Sequence, residues 1–145
     1  MSLRTNRRPA PAAASHPALR PGAKAAQRLS GPALRTFFRI AEAWQLSSEE
    51  ARTLLGDPPR STFFAWKKSG DAMLGRDTLE RISYLLGIYK ALQILLPEPA
   101  AADQWLRKPN AAPLFGGQPA LARMLSGNVA DLYVVRQYLD AWRGG

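Results

Sequence analysis

The chain has 145 residues, 46% of them hydrophobic, and a formal net charge of +9 from twenty Lys and Arg against eleven Asp and Glu. That length holds one compact domain or two very small ones sharing a core, and the charge favours polyanionic or acidic partners, nucleic acid first among them. The absence of cysteine excludes disulfides and thiolate metal sites, and no apolar run approaches the roughly 20 residues of a membrane helix, so a soluble protein of the reducing cytoplasm is expected, with no membrane partner.

Residues 1–32 carry six positive charges, no negative ones, five prolines and eight alanines. Such a segment buries too little apolar surface to offset the entropy of ordering it, which predicts a disordered basic arm. Nine basic residues stand against seven acidic ones over 33–91, and five against four over 92–145. The arm therefore makes the protein basic, while both remaining parts are near neutral.

After Pro32, Leu34, Phe37, Phe38, Ala41 and Trp44 recur at steps of three and four, the pattern of one buried helical stripe ending near Gln45. LSSEEARTLLG places Ser47 and Glu50 at capping-box spacing, turns Ala51, Leu54 and Leu55 inward, and supplies Gly56 for a left-handed stop. A Pro58-Pro59 turn precedes RSTFFAWKKSG, a third short helix closed by Gly70. Asp77 and Glu80 repeat the capping-box spacing and open a longer helix with Leu79, Ile82, Leu86, Tyr89 and Leu96 on one side. Pro97 and Pro99 break it. WLRKPNAAPLFGGQ reads as a turn-rich connector, a short helix starts at Pro119 and ends at Gly127, and Asn128 caps a final helix reaching Trp142. With no strand-like alternation beyond a few residues and no internal repeat, the predicted fold class is all-α.

Two short helices joined by a tight turn, the second opening on Arg-Ser-Thr, have the layout of a helix-turn-helix. On a helical wheel Phe63 and Trp66 pack inward and leave Ser61, Phe64, Ala65 and Lys68 outward. Ser61 or Thr62 can then donate to a base or phosphate, Phe64 can touch a thymine methyl, Arg60 can read guanine, and Lys67 and Lys68 can hold phosphates. The same letters also describe an ordinary amphipathic helix with solvated lysines.

The last helix carries apolar residues over about half its circumference, more than one core contact requires. Leu132, Val135 and Leu139 suit the core, whereas Val134, Tyr138 and Ala141 form a second apolar edge beside Trp142. Tyr, Trp and Arg are the side chains that anchor interfaces, so this edge predicts a partner. A homodimer contact or a fully buried terminal helix would leave the same pattern. Loss of 134–145 is expected to spare DNA binding and abolish partner binding.

Residues 33–145 resemble the Xre-type antitoxins of the Xre and RES toxin-antitoxin systems, the MbcA/ParS/Xre family. The helix-turn-helix half is similar through LLGDPPRSTFFAWKKSG and LERISYLLGIYKAL. The C-terminal half is similar through Trp105-Leu106, Pro109-Asn110, Leu114-Phe115-Gly116-Gly117, Pro119, Ser126-Gly127 and the closing YLDAWRGG. The glutamine-rich helix starts of phage-repressor-like domains are absent.

The resemblance implies three parts: a basic arm over 1–32, an Xre-like helix-turn-helix domain over 33–91, and a helical toxin-binding domain over 92–145. It implies a RES-domain toxin, similar to ADP-ribosyltransferases and destructive to NAD, whose NAD pocket the C-terminal part covers, and an operator DNA repressed by a homodimer. Tyr138, Asp140, Trp142, Arg143, Gly144 and Gly145 then join Val134 and Ala141 as candidate toxin-binding residues. Arg60, Ser61, Thr62, Phe64, Lys67 and Lys68 are the candidate DNA-binding residues.

No catalytic residue, metal site or cofactor is expected: the chain has no cysteine, one histidine, His16 in the arm, and no Gly-x-Ser-x-Gly. Gly116-Gly117 lacks the Lys-Ser or Lys-Thr and the preceding strand of a phosphate loop and reads as a packing turn. The alternative function is a stand-alone dimeric helix-turn-helix regulator whose C-terminal domain dimerises or senses a ligand.

Overall fold

Leu34, Phe37, Ala41 and Trp44 do line one buried stripe, joined by Ile40, on a helix that begins well before Pro32. In the computed structural model, which describes residues 23–144, α1 spans Ala23–Ala43 with Pro32 inside it. The predicted arm boundary at 32 is therefore corrected: residues 23–32 are helical, and 1–22 lie outside the described residues. Proline removes one hydrogen bond from a helix interior and is usually disruptive there. Tertiary bonds on either side hold α1 across it. The buried Ser30 hydroxyl accepts the Leu74 N–H at 2.9 Å, and Arg35 donates to the Gly70 carbonyl at 3.0 Å.

α1 closes in a left-handed turn at Gln45, with the Leu46 N–H on the Ala41 carbonyl and the Gln45 N–H on the Glu42 carbonyl. α2 (Ser48–Leu54) opens on the expected capping box: Ser47 Oγ accepts the Glu50 N–H at 3.0 Å while Glu50 Oε1 accepts the Ser47 N–H at 2.9 Å. Gly56 stops it at φ +96°, a conformation any Cβ would strain, and this keeps the turn into α3 (Arg60–Ser69) short.

α4 (Arg76–Leu95) is the spine, packed by α1 on one side and by the last helix on the other. Two neighbours bury a wider arc than one stripe, so the helix buries Arg81, Ile82, Leu85, Ile88, Ala91 and Leu92 and leaves Leu79, Leu86, Tyr89 and Leu96 half-buried at the margins. The expected Asp77–Glu80 capping box does not form. Gly75 sits at the N-cap, Asp77 accepts from Arg81 at 2.8 Å, and Glu80 accepts from the Tyr84 hydroxyl.

A short helix that the sequence reading did not assign, α5 (Pro99–Gln104), starts at the second of the two helix-breaking prolines and runs into a 3-10 turn at Trp105–Arg107, where the predicted connector begins. α6 (Ala120–Met124) follows the Gly116-Gly117 turn, and α7 (Val129–Trp142) is the last helix of the described residues. Among the described residues there is no strand, only an isolated antiparallel bridge between Pro109 and Pro119, and no helix long and apolar enough to cross a membrane. One apolar core runs from Leu34 on α1 through Leu85 and Leu92 on α4 to Leu132, Val135 and Leu139 on α7.

Candidate functional site: two helical surfaces

Two arginines tie the C-terminal elements to the helix-turn-helix. Arg107 donates to the carbonyls of Trp44 (3.2 Å) and Gln45 (2.8 Å) at the open end of α1, and to Glu50 Oε1 at 3.1 Å. A guanidinium placed there satisfies carbonyls that the helix leaves bare and complements its dipole. Burial works against ionised Glu50, but the Ser47 N–H and Arg107 outweigh it and hold its carboxyl below the usual range. Arg81, itself buried, bonds Asp77 and the Gly127 carbonyl (3.0 Å) just ahead of α7 while lying across Gly56.

The first surface is the outside of α3. Phe63 is buried and Trp66 half-buried, as the wheel predicts, leaving Ser61, Phe64, Ala65 and Lys68 exposed and Thr62 half-buried. Pro59 occupies the N-cap with no side-chain bond, so the first-turn amides of α3 carry no side-chain cap, the arrangement that receives an anion. Arg60 lies 5.9 Å over the Phe64 ring and pairs with Glu49. Arg52 and then Arg60 draw the Glu49 carboxyl below its ordinary value. Both partners are largely exposed, so exchanging this pair for another anion costs little. Lys67 and Lys68, grouped together in the sequence, point apart. Lys68 shares the outer face with Ser61 and Phe64, whereas Lys67 lines a groove of about 500 Å³ with Phe38, Gln45, Ser47 and Phe63. Neither lysine has an ion pair among the described residues.

The second surface is the end of α7. Leu132, Val135 and Leu139 fill the core as expected, and Val134 and Tyr138 are half-buried at its edge. Tyr138 stacks on Trp105 (6.4 Å, 24°) and meets Phe115 edge-on at 5.2 Å. Trp142 lies 6.3 Å from Trp105 and 6.5 Å from Tyr138, yet remains 47% exposed. Pattern analysis of α7 alone missed Trp105 and Phe115 as parts of this cluster. The available signal was two aromatics in a turn-rich stretch that has no helix of its own to bury them.

The candidate residues at this end separate into two flanks. Val134, Tyr138 and Trp142 lie toward the aromatic cluster, with Ala141 exposed beside them. Asp140 lies on the other flank between Arg136 (3.7 Å) and Arg143 (3.9 Å). On that flank Arg136 crosses Gly87 of α4 so closely that a Cβ there would stand 2.5 Å from its Nε. Arg143 and Gly144 are exposed, and Gly145 lies outside the described residues. At the start of α7, Asn128 takes the N-cap position but its side chain does not cap. Asp131 accepts instead from the Ser126 hydroxyl (2.6 Å) and Arg123 (3.0 Å), and the Ser126 bond first of all holds its carboxyl below the ordinary value.

Residues 23–87 match the family described as the antitoxin Xre-like helix-turn-helix domain, and residues 91–145 match the antitoxin Xre/MbcA/ParS C-terminal toxin-binding domain. The first match begins where α1 begins, at Ala23. The chain is also similar to the uncharacterized protein y4oB of Sinorhizobium fredii, 54% identical over 112 residues that cover 77% of this chain and 84% of that protein. With a helix-turn-helix half and a toxin-binding half packed on one core, the chain belongs to the Xre/MbcA/ParS family of antitoxins.

Proposed function

We propose that this antitoxin neutralises a RES-domain toxin by seating the Trp142 end of α7 over the toxin's NAD pocket, and that it represses its own operon as a homodimer through α3. The observation that carries the first part is the half-exposed Trp142 resting on Trp105 and Tyr138. A large aromatic held in place by its neighbours loses little conformational freedom when a partner covers it, which is how an interface anchor gains affinity. Arg143 stands beside it, exposed, to pair with toxin groups that otherwise hold the phosphates or ribose of NAD. The mode of action is occlusion, with no chemistry performed by this chain.

Three features support the DNA part: the exposed, mostly small outer face of α3, its uncapped first turn, and Arg60 held by an exchangeable surface pair. A single ten-residue helix reads too few base pairs for useful specificity, so two copies are required. The apolar groove of about 420 Å³ between α1 and α4, lined by Leu29, Pro32, Ala33, Leu79, Ile82 and Leu86, supplies a surface for pairing.

Co-expression with the product of the neighbouring reading frame tests the reading. The two proteins are expected to co-purify, and the partner's NAD consumption is expected to stop when this chain is added. An NAD-consuming partner that this chain neither binds nor slows would end the proposal.

A further inference from the structure

A cavity of about 440 Å³ opens beside the aromatic cluster, with Leu114, Phe115, Pro119 and Ala122 as its apolar walls and Arg123 and Asp131 among its polar lining. The turn that forms it is fastened on both sides. Asn110 accepts the Gly117 N–H on its carbonyl at 2.9 Å and donates its own N–H to the Gln118 carbonyl at 3.2 Å, while Arg123 donates to the Leu114 carbonyl at 3.0 Å. Gly116 and Gly117 allow this path because both take positive φ, +57° and +88°. The hollow is thus framed before anything fills it, and an occupant has little ordering left to impose.

The chemistry of the walls selects the occupant. Asp131 accepts from Arg123 at 3.0 Å and from the Ser126 hydroxyl at 2.6 Å, so the two charges at the hollow are spent on each other. Among the described residues, the buried side-chain polar atoms that lack a partner belong to Trp44 and Arg52, and neither residue lines it. A small charged ligand therefore finds no buried group waiting for it, whereas an apolar side chain gains by leaving water for four apolar walls.

Its position selects the source. Every lining residue falls within 91–145, the part that matches the toxin-binding domain. Phe115 is common to both features: it walls the hollow, and it meets Trp105 at 6.0 Å and Tyr138 at 5.2 Å, the two rings on which Trp142 rests. A stable interface covers roughly 800 Å² on each partner, far more than one indole supplies, so a partner seated on Trp142 spreads onto adjoining surface. The hollow is the adjoining apolar surface.

We propose that this hollow is a socket for an apolar side chain, aliphatic or aromatic, projecting from the toxin. The interface is then reciprocal: Trp142 enters the toxin, and a toxin side chain enters the antitoxin between the Phe115 turn and α6. This rests on the toxin-binding reading above and adds to it a second point of attachment.

The test titrates the full chain and the variants Ala122→Phe and Ala122→Glu against the product of the neighbouring reading frame. Ala122 is exposed on α6, so helicity and denaturation midpoint are expected to stay at the parent's values. Phenylalanine fills the hollow with the chain's own ring, and glutamate sets in it a charge that an apolar occupant would have to strip of water, so each is expected to weaken binding about tenfold or more. Amide exchange supplies a second measurement that needs no variant: the N–H groups of residues 114–126 are expected to exchange more slowly in the complex than in the free chain. Parent-like affinity in either variant, or exchange over that stretch as fast in the complex as in the free chain, overturns this inference and leaves the seat of Trp142 standing. A parent chain that does not bind that product at all overturns the toxin-binding reading and this inference with it.

Discussion

Phe64 on α3 and Trp142 on α7 are exposed to nearly the same degree, 41% and 47%, yet their surroundings differ in kind. Phe64 has one ring beside it, the buried Phe63 at 5.1 Å, and a guanidinium above it that belongs to an exchangeable surface pair. Trp142 belongs to a cluster drawn from three elements, the 3-10 turn, the Phe115 turn and α7 itself. The first setting suits shallow approach to a charged, hydrated partner, and the second suits deep occlusion of an apolar one. Exposure alone does not distinguish a recognition surface for nucleic acid from one for protein, whereas the rigidity and polarity of what lies beneath does.

The largest expected effect tests whether the two surfaces rest on one body. Leu139→Ala empties a fully buried site between α7 and α4 and is expected to cost about 2–5 kcal/mol, read by urea denaturation. A single transition shifted as a whole is expected. If half of the helical signal melts at its original midpoint, the halves are independent. The same geometry revises the truncation experiment: removing 134–145 also removes Val135 and Leu139, so both functions are expected to fail together, and point changes at the surface are the informative probes.

Arg81→Ala comes next. It removes bonds to Asp77 and the Gly127 carbonyl from a buried position, and a stability loss of about 2–3 kcal/mol is expected by denaturation. An unchanged midpoint would show that this bridge carries no weight. Trp142→Ala is expected to weaken toxin binding by roughly 2 kcal/mol, about thirtyfold, while shifting the denaturation midpoint little, because half of that ring already faces water. Undiminished affinity in a binding titration would remove Trp142 from the interface.

Lys67→Ala and Lys68→Ala sharpen the comparison on the other side. Each lysine that holds a phosphate is expected to take about 1 from the salt slope of DNA binding, and the outward Lys68 is expected to matter more than Lys67 in its groove. Equal effects would show that the groove wall also meets the duplex. The smallest effect is at Asp131, whose folded carboxyl lies below the ordinary value of 3.8. Its contribution is fully present above that value and is lost as pH falls through the lower folded one. Asp131→Asn is therefore expected to cost about 1 kcal/mol at neutral pH and to cost progressively less in acid melts below about pH 4.

Much of this was legible in the letters where one short-range rule acts alone. The stripe Leu34, Phe37, Ala41 and Trp44, the Ser47–Glu50 box, the stops at Gly56 and Gly70, and the core triad on α7 all follow from local period or cap chemistry. The misreadings arose where a distant partner decided. Pro32 reads as a boundary, but Ser30 and Arg35 are fastened to the loop after α3 and carry the helix across it. Asp77 reads as a cap, but Arg81 claims it, and Arg81 is itself aimed at a carbonyl 46 residues away. Trp105 and Phe115 gain their role from Tyr138, more than twenty residues later, which no pattern internal to α7 contains.

The continuous core has a consequence for how this antitoxin is cleared. With Leu85, Leu92, Val135 and Leu139 in one cluster, a protease that catches the chain opened is expected to leave no stable fragment behind. If the Leu139→Ala experiment shows one transition, both proposed roles end together on degradation, governed by one opening equilibrium of the whole body.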